Sequence, residues 1–112
     1  MTDEASRKIA GFLGLCVRAG QLTMGQEACI TAIRQGKAAL GLLDEGASDN
    51  TRKRLSDSCQ SHPTPLYLIP KGLLAQAVGK DGRMAATLPK GRMADRLSEL
   101  LTGESPYLYT NE

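Results

Sequence analysis

The stretch Ala-Leu-Gly-Leu-Leu-Asp-Glu-Gly-Ala-Ser-Asp-Asn-Thr, residues 39–51, indicates how this chain folds. Its apolar beginning, residues 39–43, is typical of a strand that is covered on both faces of a sheet. Small and acidic residues follow, and Ser48 is a good N-cap for a helix whose first turns carry the basic run 52–54. The stretch therefore predicts a buried strand, a turn at its carboxyl end and a helix. Ligands gather at such strand ends in open α/β sheets, and the polar residues here suit hydrogen bonding better than catalysis.

Helix-like and strand-like segments alternate on both sides of this stretch. Apolar residues spaced three and four apart predict helices, and short apolar runs bounded by Gly or Pro predict strands. The predicted helices are residues 6–19, 26–34, 48–58, 73–78 and 91–101; the predicted strands are residues 21–24 (at an edge), 39–43, 66–69 and 83–88. This alternation implies one domain, residues 1–103, folded as a three-layer α/β/α sandwich around a mixed, mostly parallel four-stranded sheet. Residues 104–112 are expected to form a flexible tail.

The composition allows one modest core and argues against a purely electrostatic function. The chain has 112 residues and a net charge of only +2, whereas a histone-like nucleic-acid binder would be strongly basic. Acidic residues crowd both ends of the chain, so the middle is more basic than the whole. A local basic face therefore remains compatible with this sequence.

Cysteine usage predicts a cytoplasmic protein. Cys16, Cys29 and Cys59 are odd in number, form no CxxC pattern and fall on apolar positions of predicted helices. They are interpreted as small buried hydrophobic residues, which suits a reducing compartment. Residues 1–8 do not fit a signal peptide, and no apolar run approaches the ~20 residues of a membrane helix. No membrane partner is expected.

The sequence lacks the motifs of common enzymes and cofactor sites. It contains neither Rossmann nor P-loop glycines, since Gly36-Lys37 and Gly79-Lys80 have no glycine five residues upstream. His62 is the one histidine, and its proline neighbours indicate an exposed turn without an orienting partner. The acidic pairs after residue 43 are better explained as turn and cap residues than as a cation site. The expectation is a protein with no catalytic residues, cofactor or metal.

Binding chemistry is concentrated at the start of the second helix, in Gly25-Gln26-Glu27. Backbone N–H groups at a helix start carry partial positive charge and can receive a phosphate. The Glu27 carboxylate can accept hydrogen bonds from the imino and amino groups of a guanine. The alternative is that Glu27 merely complements the helix dipole.

Cationic side chains provide further binding candidates. Lys80 and Arg83 lie in a loop that glycines flank, and Lys37 follows the second helix. In a sandwich of this kind, the helix start, the turn after residue 43 and the loop after residue 78 could share one end of the sheet. Phosphate contacts would then position a nucleic acid while Glu27 reads bases. The basic run 52–54 is either a second phosphate patch or the solvated face of a helix.

Over about residues 9–101, the chain resembles the bacterial branch of the kink-turn-binding ribosomal protein family. That family also contains archaeal large-subunit proteins and small nucleolar ribonucleoprotein core proteins. The resemblance rests on the order and spacing of several segments. They are Leu13-Gly14-Leu15, Arg18-Ala19-Gly20, Gly25-Gln26-Glu27, Ile33-Arg34-Gln35-Gly36-Lys37-Ala38, Leu42-Leu43 with Glu45, Ala47-Ser48-Asp49-Asn50-Thr51, Cys59, and Leu74 with Ala77-Val78-Gly79-Lys80.

The resemblance implies an α/β/α sandwich that binds sharply bent RNA. In the family, the loop before the second helix and the first turns of that helix enter the widened major groove at tandem sheared G·A pairs. The loop before the last strand packs against bases flipped out of the bend. The resemblance places Gly25, Gln26, Glu27, Thr31 and the loop 79–83 at these positions. Together with the residue chemistry, it gives the predicted RNA-binding set: Gly25, Gln26, Glu27, Thr31, Lys37, Glu45, Gly79, Lys80 and Arg83.

These observations predict a cytoplasmic, monomeric, non-enzymatic protein that binds structured RNA and associates with the ribosome. Two alternatives remain open. One is a protein-interaction adaptor that keeps the fold but has a decayed RNA site, because the family's Asn-Glu pair and Lys are matched here by Glu27, Ala28 and Thr31. The other is the substrate-recognition module of an RNA-modifying enzyme, which could not act alone because the sequence has no cofactor loop.

Overall fold

The structure is a computed structural model, and it describes residues 1–110. Helices and strands alternate along these residues, as the sequence predicts. The helices are α1 (Asp3–Arg18), α2 (Gln26–Arg34), α3 (Asp49–Ser61), α4 (Leu73–Val78) and α5 (Arg92–Leu100), and the strands are β1 (Thr23–Met24), β2 (Leu40–Asp44), β3 (Leu66–Ile69) and β4 (Ala85–Leu88).

Helix boundaries follow from residues with specific capping chemistry. The Ser48 hydroxyl accepts a hydrogen bond from the Thr51 N–H at 3.2 Å, which confirms Ser48 as the N-cap of α3. Thr2 caps α1 in the same way, so this helix begins three residues earlier than predicted. Helix α4 ends at Gly79, whose φ of 72° is a left-handed conformation that favours glycine.

The four strands form one mixed sheet in the order β1-β4-β2-β3. Strands β2 and β3 are parallel, whereas β4 is antiparallel to both of its neighbours. The mixed α/β sandwich and the edge position of β1 are confirmed, but the expected majority of parallel pairings is wrong. The reason is the connection after β3: the six residues of α4 span only ~9 Å. The chain therefore enters β4 from the end of the sheet at which β3 finishes.

Helices cover both faces of the sheet. Helices α1, α4 and α5 pack on one face with Leu40 and Leu42 of β2, and α2 and α3 pack on the other with Leu43. This alternation places successive side chains on opposite faces, as a strand requires. All three cysteines are free and buried, as predicted. In the described part of the chain, no helix is long and apolar enough to cross a bilayer.

The segment after α5, for which a flexible tail was expected, contacts the body of the protein at two points. The Tyr107 N–H donates to the Leu66 carbonyl at 2.5 Å, at the edge of β3. The Tyr109 hydroxyl donates to the Asp49 carboxylate at 2.7 Å, at the start of α3. Tyr107 is thus held through its backbone N–H and Tyr109 through its hydroxyl, and both residues also have an aromatic ring that can pack. The polar composition of the segment did not indicate these contacts. Residues 111–112 of the predicted tail lie outside the described residues.

Candidate nucleic-acid interface

One end of the sheet brings together loops that the sequence singled out. Strands β2 and β3 both finish there, since Asp44 pairs with Ile69. Strand β4 starts there, since Leu43 pairs with Ala85. The Gly25 N–H, immediately before α2, donates to the Ala85 carbonyl at 3.1 Å. We call this end, formed by residues 25–27, 44–48, 70–72 and 83–84, the loop end.

Asp44 joins two segments of the loop end. The residue is 1% exposed, and its carboxylate accepts the Gly46 N–H at 2.6 Å and the Gly72 N–H at 2.8 Å. A buried carboxylate with such partners is satisfied by hydrogen bonds and fixes the loops that supply them. A β-carbon on Gly46 would lie 3.0 Å from the Asp44 Oδ1 and 3.1 Å from the Lys71 Cγ, so a larger residue would require these side chains to shift.

Arg83 places the loop before β4 against the start of α2. Its Nη1 lies 3.7 Å from the point where a β-carbon of Gly25 would stand. Its Nε is buried and has no hydrogen-bond partner among residues 1–110. The predicted helix-start surface and the predicted cationic loop are therefore neighbours. Lys80 is exposed, and three residues of chain keep its Cα within ~11 Å of that of Arg83.

A chain of polar side chains joins the starts of α2 and α3. The Ser48 hydroxyl donates to the Thr51 hydroxyl at 3.0 Å, which donates in turn to the Gln26 amide oxygen at 2.5 Å. The Gln26 amide nitrogen then donates to Glu27 Oε2 at 3.2 Å. Two helix N-termini thus face the same end of the molecule, and both attract negative charge.

Glu27 forms a bidentate ion pair with Arg54 of α3. Arg54 Nη1 lies 2.5 Å from Glu27 Oε2, and Arg54 Nη2 lies 3.2 Å from Glu27 Oε1. The hydrogen bond from Arg54, with a smaller contribution from Gln26, lowers the pKa of Glu27, and the same bond raises the pKa of Arg54. Both side chains stay accessible, with 73% of Glu27 and 40% of Arg54 exposed. Sequence reasoning missed this pair because 27 residues separate its members.

The basic run 52–54 is neither a uniform phosphate patch nor a uniform solvated face. Arg52 turns inward and donates through Nε to the Ala47 carbonyl at 3.1 Å. Lys53 points outward and pairs with Asp57 at 3.1 Å. Arg54 alone of the three reaches α2. The run therefore contributes one side chain to the predicted site.

Arg52 also connects the C-terminal segment to the loop end. Its guanidinium lies 5.9 Å from the centre of the Tyr107 ring and donates to the Glu45 carbonyl. Glu45 therefore takes part through its backbone, while its side chain is exposed. Tyr107 thus supports, through Arg52, a loop that belongs to the predicted site.

The remaining predicted residues divide into two groups. Thr31 is exposed one turn beyond Glu27 and lies on the same face of α2. Gly79 and Lys80 form the exposed turn that ends α4, where the N–H groups of both residues donate to the Ala75 carbonyl. These three residues are compatible with a surface that extends outward from the loop end.

Lys37 does not belong to this surface. It follows the carboxyl end of α2, and two residues later the Ala39 N–H donates to the Leu88 carbonyl at the last position of β4. Lys37 therefore lies at the opposite end of the sheet from Gly25, and the prediction that it shares the site is wrong. The exposed His62 at the carboxyl end of α3 is likewise remote from the loop end.

Residues 7–94 match the family model of the ribosomal protein L7Ae/L30e/S12e/Gadd45 family. Two relatives carry the name RNA-binding protein YlxQ. The protein from Bacillus subtilis is 33% identical over 80% of this chain and 91% of its own length. The protein from Enterococcus faecium is 30% identical over 92% of this chain and 100% of its own length. The expectation of a non-enzymatic protein agrees with these names.

Solved structures show the same architecture. A Bacillus halodurans protein of unknown function is 30% identical and superimposes with a TM-score of 0.78, covering 84% of this chain and 96% of that one. A Giardia lamblia 15.5kD RNA binding protein gives a TM-score of 0.68 over 89% of this chain and 92% of that one. It is only 17% identical, so this second likeness shows the fold alone. The resemblance seen in the sequence is thereby confirmed: the chain belongs to the ribosomal protein L7Ae/L30e/S12e/Gadd45 family.

Proposed function

We propose that this protein binds RNA without catalysing a reaction, and that it recognises a kink-turn-like bend through its loop end. One observation carries the proposal: an exposed carboxylate, Glu27, stands at the start of a helix that the Arg83 loop touches. The names of the two relatives support the same ligand class.

Each group at the loop end suits a different part of a bent RNA. The starts of α2 and α3 and the cations Lys80 and Arg83 suit phosphates, which fix the position of a nucleic acid without reading its sequence. The Glu27 carboxylate suits the imino and amino donors of a guanine. A sheared G·A pair in a widened groove offers such an edge next to the backbone, which is why a bend is favoured over a plain duplex.

The cellular setting is part of the same proposal. The description of the family as ribosomal proteins supports ribosomal RNA, or another structured RNA in the cytoplasm, as the partner. We assign all RNA-contacting groups to residues 1–103 and expect a monomer to bind one bend. The described tail then acts on the site only indirectly, through the contact of Tyr107 with Arg52.

A binding series with two RNAs tests the proposal. One RNA contains a bend with tandem G·A pairs, and the other is a straight duplex of equal length and charge. We expect Glu27→Ala to weaken binding to the bent RNA by about 10- to 100-fold, the value of a good bidentate base contact, with little effect on the duplex. Glu99→Ala, which removes an exposed carboxylate from α5, is the matched control. Equal binding of both RNAs by the natural protein would contradict bend recognition.

A protein-interaction adaptor remains the second candidate, because one surface formed by α1 and α5 favours it. Phe12, Leu15 and Leu100 line a groove between α1 and α5 that also has the cationic residues Arg7, Lys8 and Arg96 in its lining, and Leu15 is 48% exposed. Helices α1 and α5 cover the face of the sheet that α2 and α3 do not. An adaptor with a decayed site would bind neither RNA at low salt, and Leu15→Glu would abolish its association with a purified partner.

A further inference from the structure

In the free protein, Glu27 is paired with Arg54, whose N–H donors are arranged like those of guanine, the base that Glu27 is proposed to read. Arg54 directs two nitrogens, Nη1 and Nη2, at the two oxygens of the carboxylate, at 2.5 and 3.2 Å. A guanidinium is planar and presents its N–H groups as a fixed fork. The imino and amino groups of guanine form a similar planar pair of parallel donors. Arg54 therefore occupies the place that a guanine would need.

We propose that Arg54 is a specificity-determining residue of the RNA site: it holds the base-reading edge of Glu27 until a guanine replaces it, and its guanidinium then binds a phosphate of the same RNA. This inference rests on the function proposed above. It adds a residue of α3 to a site that the sequence placed on α2 and the loop before β4.

The structure allows this exchange without rearranging the helices. The pair is at the surface, where solvent screens the attraction and an ion pair is easily broken. The contact between the Gln26 amide and the Thr51 hydroxyl holds α2 and α3 together without Arg54. Ile30 and Leu55, buried in the same cluster, pack the two helices beneath it. Only the Arg54 side chain has to move.

The exchange sets how strongly the site discriminates between bases, because different bases offer different numbers of donors. Guanine brings two donors and can replace both bonds from Arg54. A base edge with a single donor replaces only one of these bonds and Arg54 can keep the other, so the natural protein penalises the missing donor only in part. Any RNA that lacks the guanine meets a neutralised pair and is held by phosphate contacts alone. Without Arg54, the oxygen that a single-donor base leaves unpaired has no partner in the protein, so the second donor of guanine contributes more to binding.

A comparison of guanine with inosine tests the inference, since inosine keeps the imino donor and lacks the amino group. Two bent RNAs that differ only at this base are titrated against the natural protein and against Arg54→Gln. For each protein, the dissociation constant of the inosine RNA is divided by that of the guanine RNA, and these ratios are compared. Any effect of inosine on the RNA fold cancels, because the same two RNAs are used throughout. We expect Arg54→Gln to raise the ratio by about two- to fivefold, the range for removing an exposed ion pair. We also expect Arg54→Gln to reduce the slope of log Kd against log salt concentration by about one, the value of one phosphate contact.

Three further variants isolate the cause. Lys53→Gln removes the same charge from the adjacent position, where the partner is Asp57, and should leave the ratio unchanged. Arg54→Lys keeps the charge but loses the fork, so it should keep the salt slope and raise the ratio. In a Glu27→Ala background, Arg54→Gln should no longer change the ratio.

The outcomes separate this inference from the proposed function. A ratio that is unchanged or lower in Arg54→Gln, while Glu27→Ala still weakens bent RNA, overturns the role of Arg54 and leaves the RNA site in place. A natural protein that binds neither RNA, or in which Glu27→Ala has no effect, overturns the proposed function and this inference together. Thermal melting of Arg54→Gln checks that the fold is intact, which the exposure of the side chain leads us to expect.

Discussion

The guanidinium of Arg83 rests on the one residue of the α2 start that has no side chain, Gly25. Its Nη1 is 3.7 Å from the position of the missing β-carbon, and the φ of Gly25 is +96°. The glycine satisfies one requirement, a positive φ that side chains disfavour, while a β-carbon here would make only an ordinary van der Waals contact with the arginine. This contact joins the helix start to the cationic loop, and the candidate interface depends on it.

Replacing Gly25 should therefore damage both the fold and the site. We expect Gly25→Ala to lower the free energy of unfolding by about 1–3 kcal/mol, because alanine is strained at this φ. Urea denaturation at constant m-value measures the effect, and binding to bent RNA should weaken at protein concentrations where the variant is folded. Gly11→Ala is the matched control: it lies inside α1 with no atom near its β-carbon position. There alanine should stabilise the helix by about 0.5–1 kcal/mol. A Gly25→Ala variant as stable as the natural protein would contradict the strain.

The two lysines that the sequence assigned to the site should now behave differently. Lys80→Ala should weaken bent and straight RNA to a similar degree and lower the salt slope by about one, because the side chain contacts phosphate and reads no base. Lys37→Ala removes the same charge from the opposite end of the sheet and should leave both affinities unchanged. Salt titrations of the two variants on the two RNAs measure this. A larger effect from Lys37 than from Lys80 would contradict the proposal, because it would place the RNA at the end of the sheet opposite the loop end.

Local signals in the sequence were enough to predict individual elements. Helix Gln26–Arg34 and strand Leu66–Ile69 have the predicted limits, because glycines bound the helix and prolines bound the strand. Strand β4 is shorter than predicted and begins at Ala85. The two residues before it are needed in the loop, where Arg83 reaches Gly25.

Relationships between distant segments could not be predicted in the same way. The direction of β4 depends on how far the chain travels after β3, and the apolar pattern of a strand is the same in both directions. The pairing of Glu27 with Arg54 depends on how α2 and α3 pack across a gap of 27 residues. Lys37 was misplaced for a related reason: its charge suggested phosphate binding, whereas its position is fixed by the end of α2.

Burial should make the cysteines of the folded protein unreactive. It raises the pKa of Cys29 to about 12 and that of Cys59 to about 11, and it also raises the pKa of Cys16. The thiolate is the nucleophile, so at pH 8 iodoacetamide should modify the native protein slowly and all three thiols quickly in urea. Mass spectrometry of quenched samples counts the adducts. Rapid labelling of any one thiol without urea would contradict the buried positions.

The same shifts have a consequence for stability at high pH. In the unfolded chain these thiols ionise near their ordinary pKa of 9.0, whereas in the fold Cys29 stays protonated to about 12. The unfolded state therefore releases protons that the folded state retains, and the free energy of unfolding falls as the pH rises from about 9 towards 12. The thiols contribute no such slope below pH 8. Urea midpoints measured across this range for the natural protein and for Cys29→Ala should converge at the alkaline end.

Asp44 should be the carboxylate on which the fold depends most. It is 1% exposed and accepts two backbone N–H groups, from Gly46 and Gly72. Asp44→Asn keeps the shape but turns one acceptor into a donor that faces an N–H. One of the two backbone N–H groups then faces a donor instead of its acceptor, and we expect a loss of about 1–3 kcal/mol in the free energy of unfolding.

The matched control for this substitution is Asp57→Asn, an exposed carboxylate on α3 whose change should stay within about 0.5 kcal/mol. Chemical denaturation of the two variants at pH 7 measures the difference. Because Asp44 holds the loops that follow β2 and β3, Asp44→Asn should also increase amide hydrogen exchange at Gly46 and Gly72, while exchange at Gly25 stays unchanged. Equal stability of Asp44→Asn and Asp57→Asn would show that the two loops are held by other contacts.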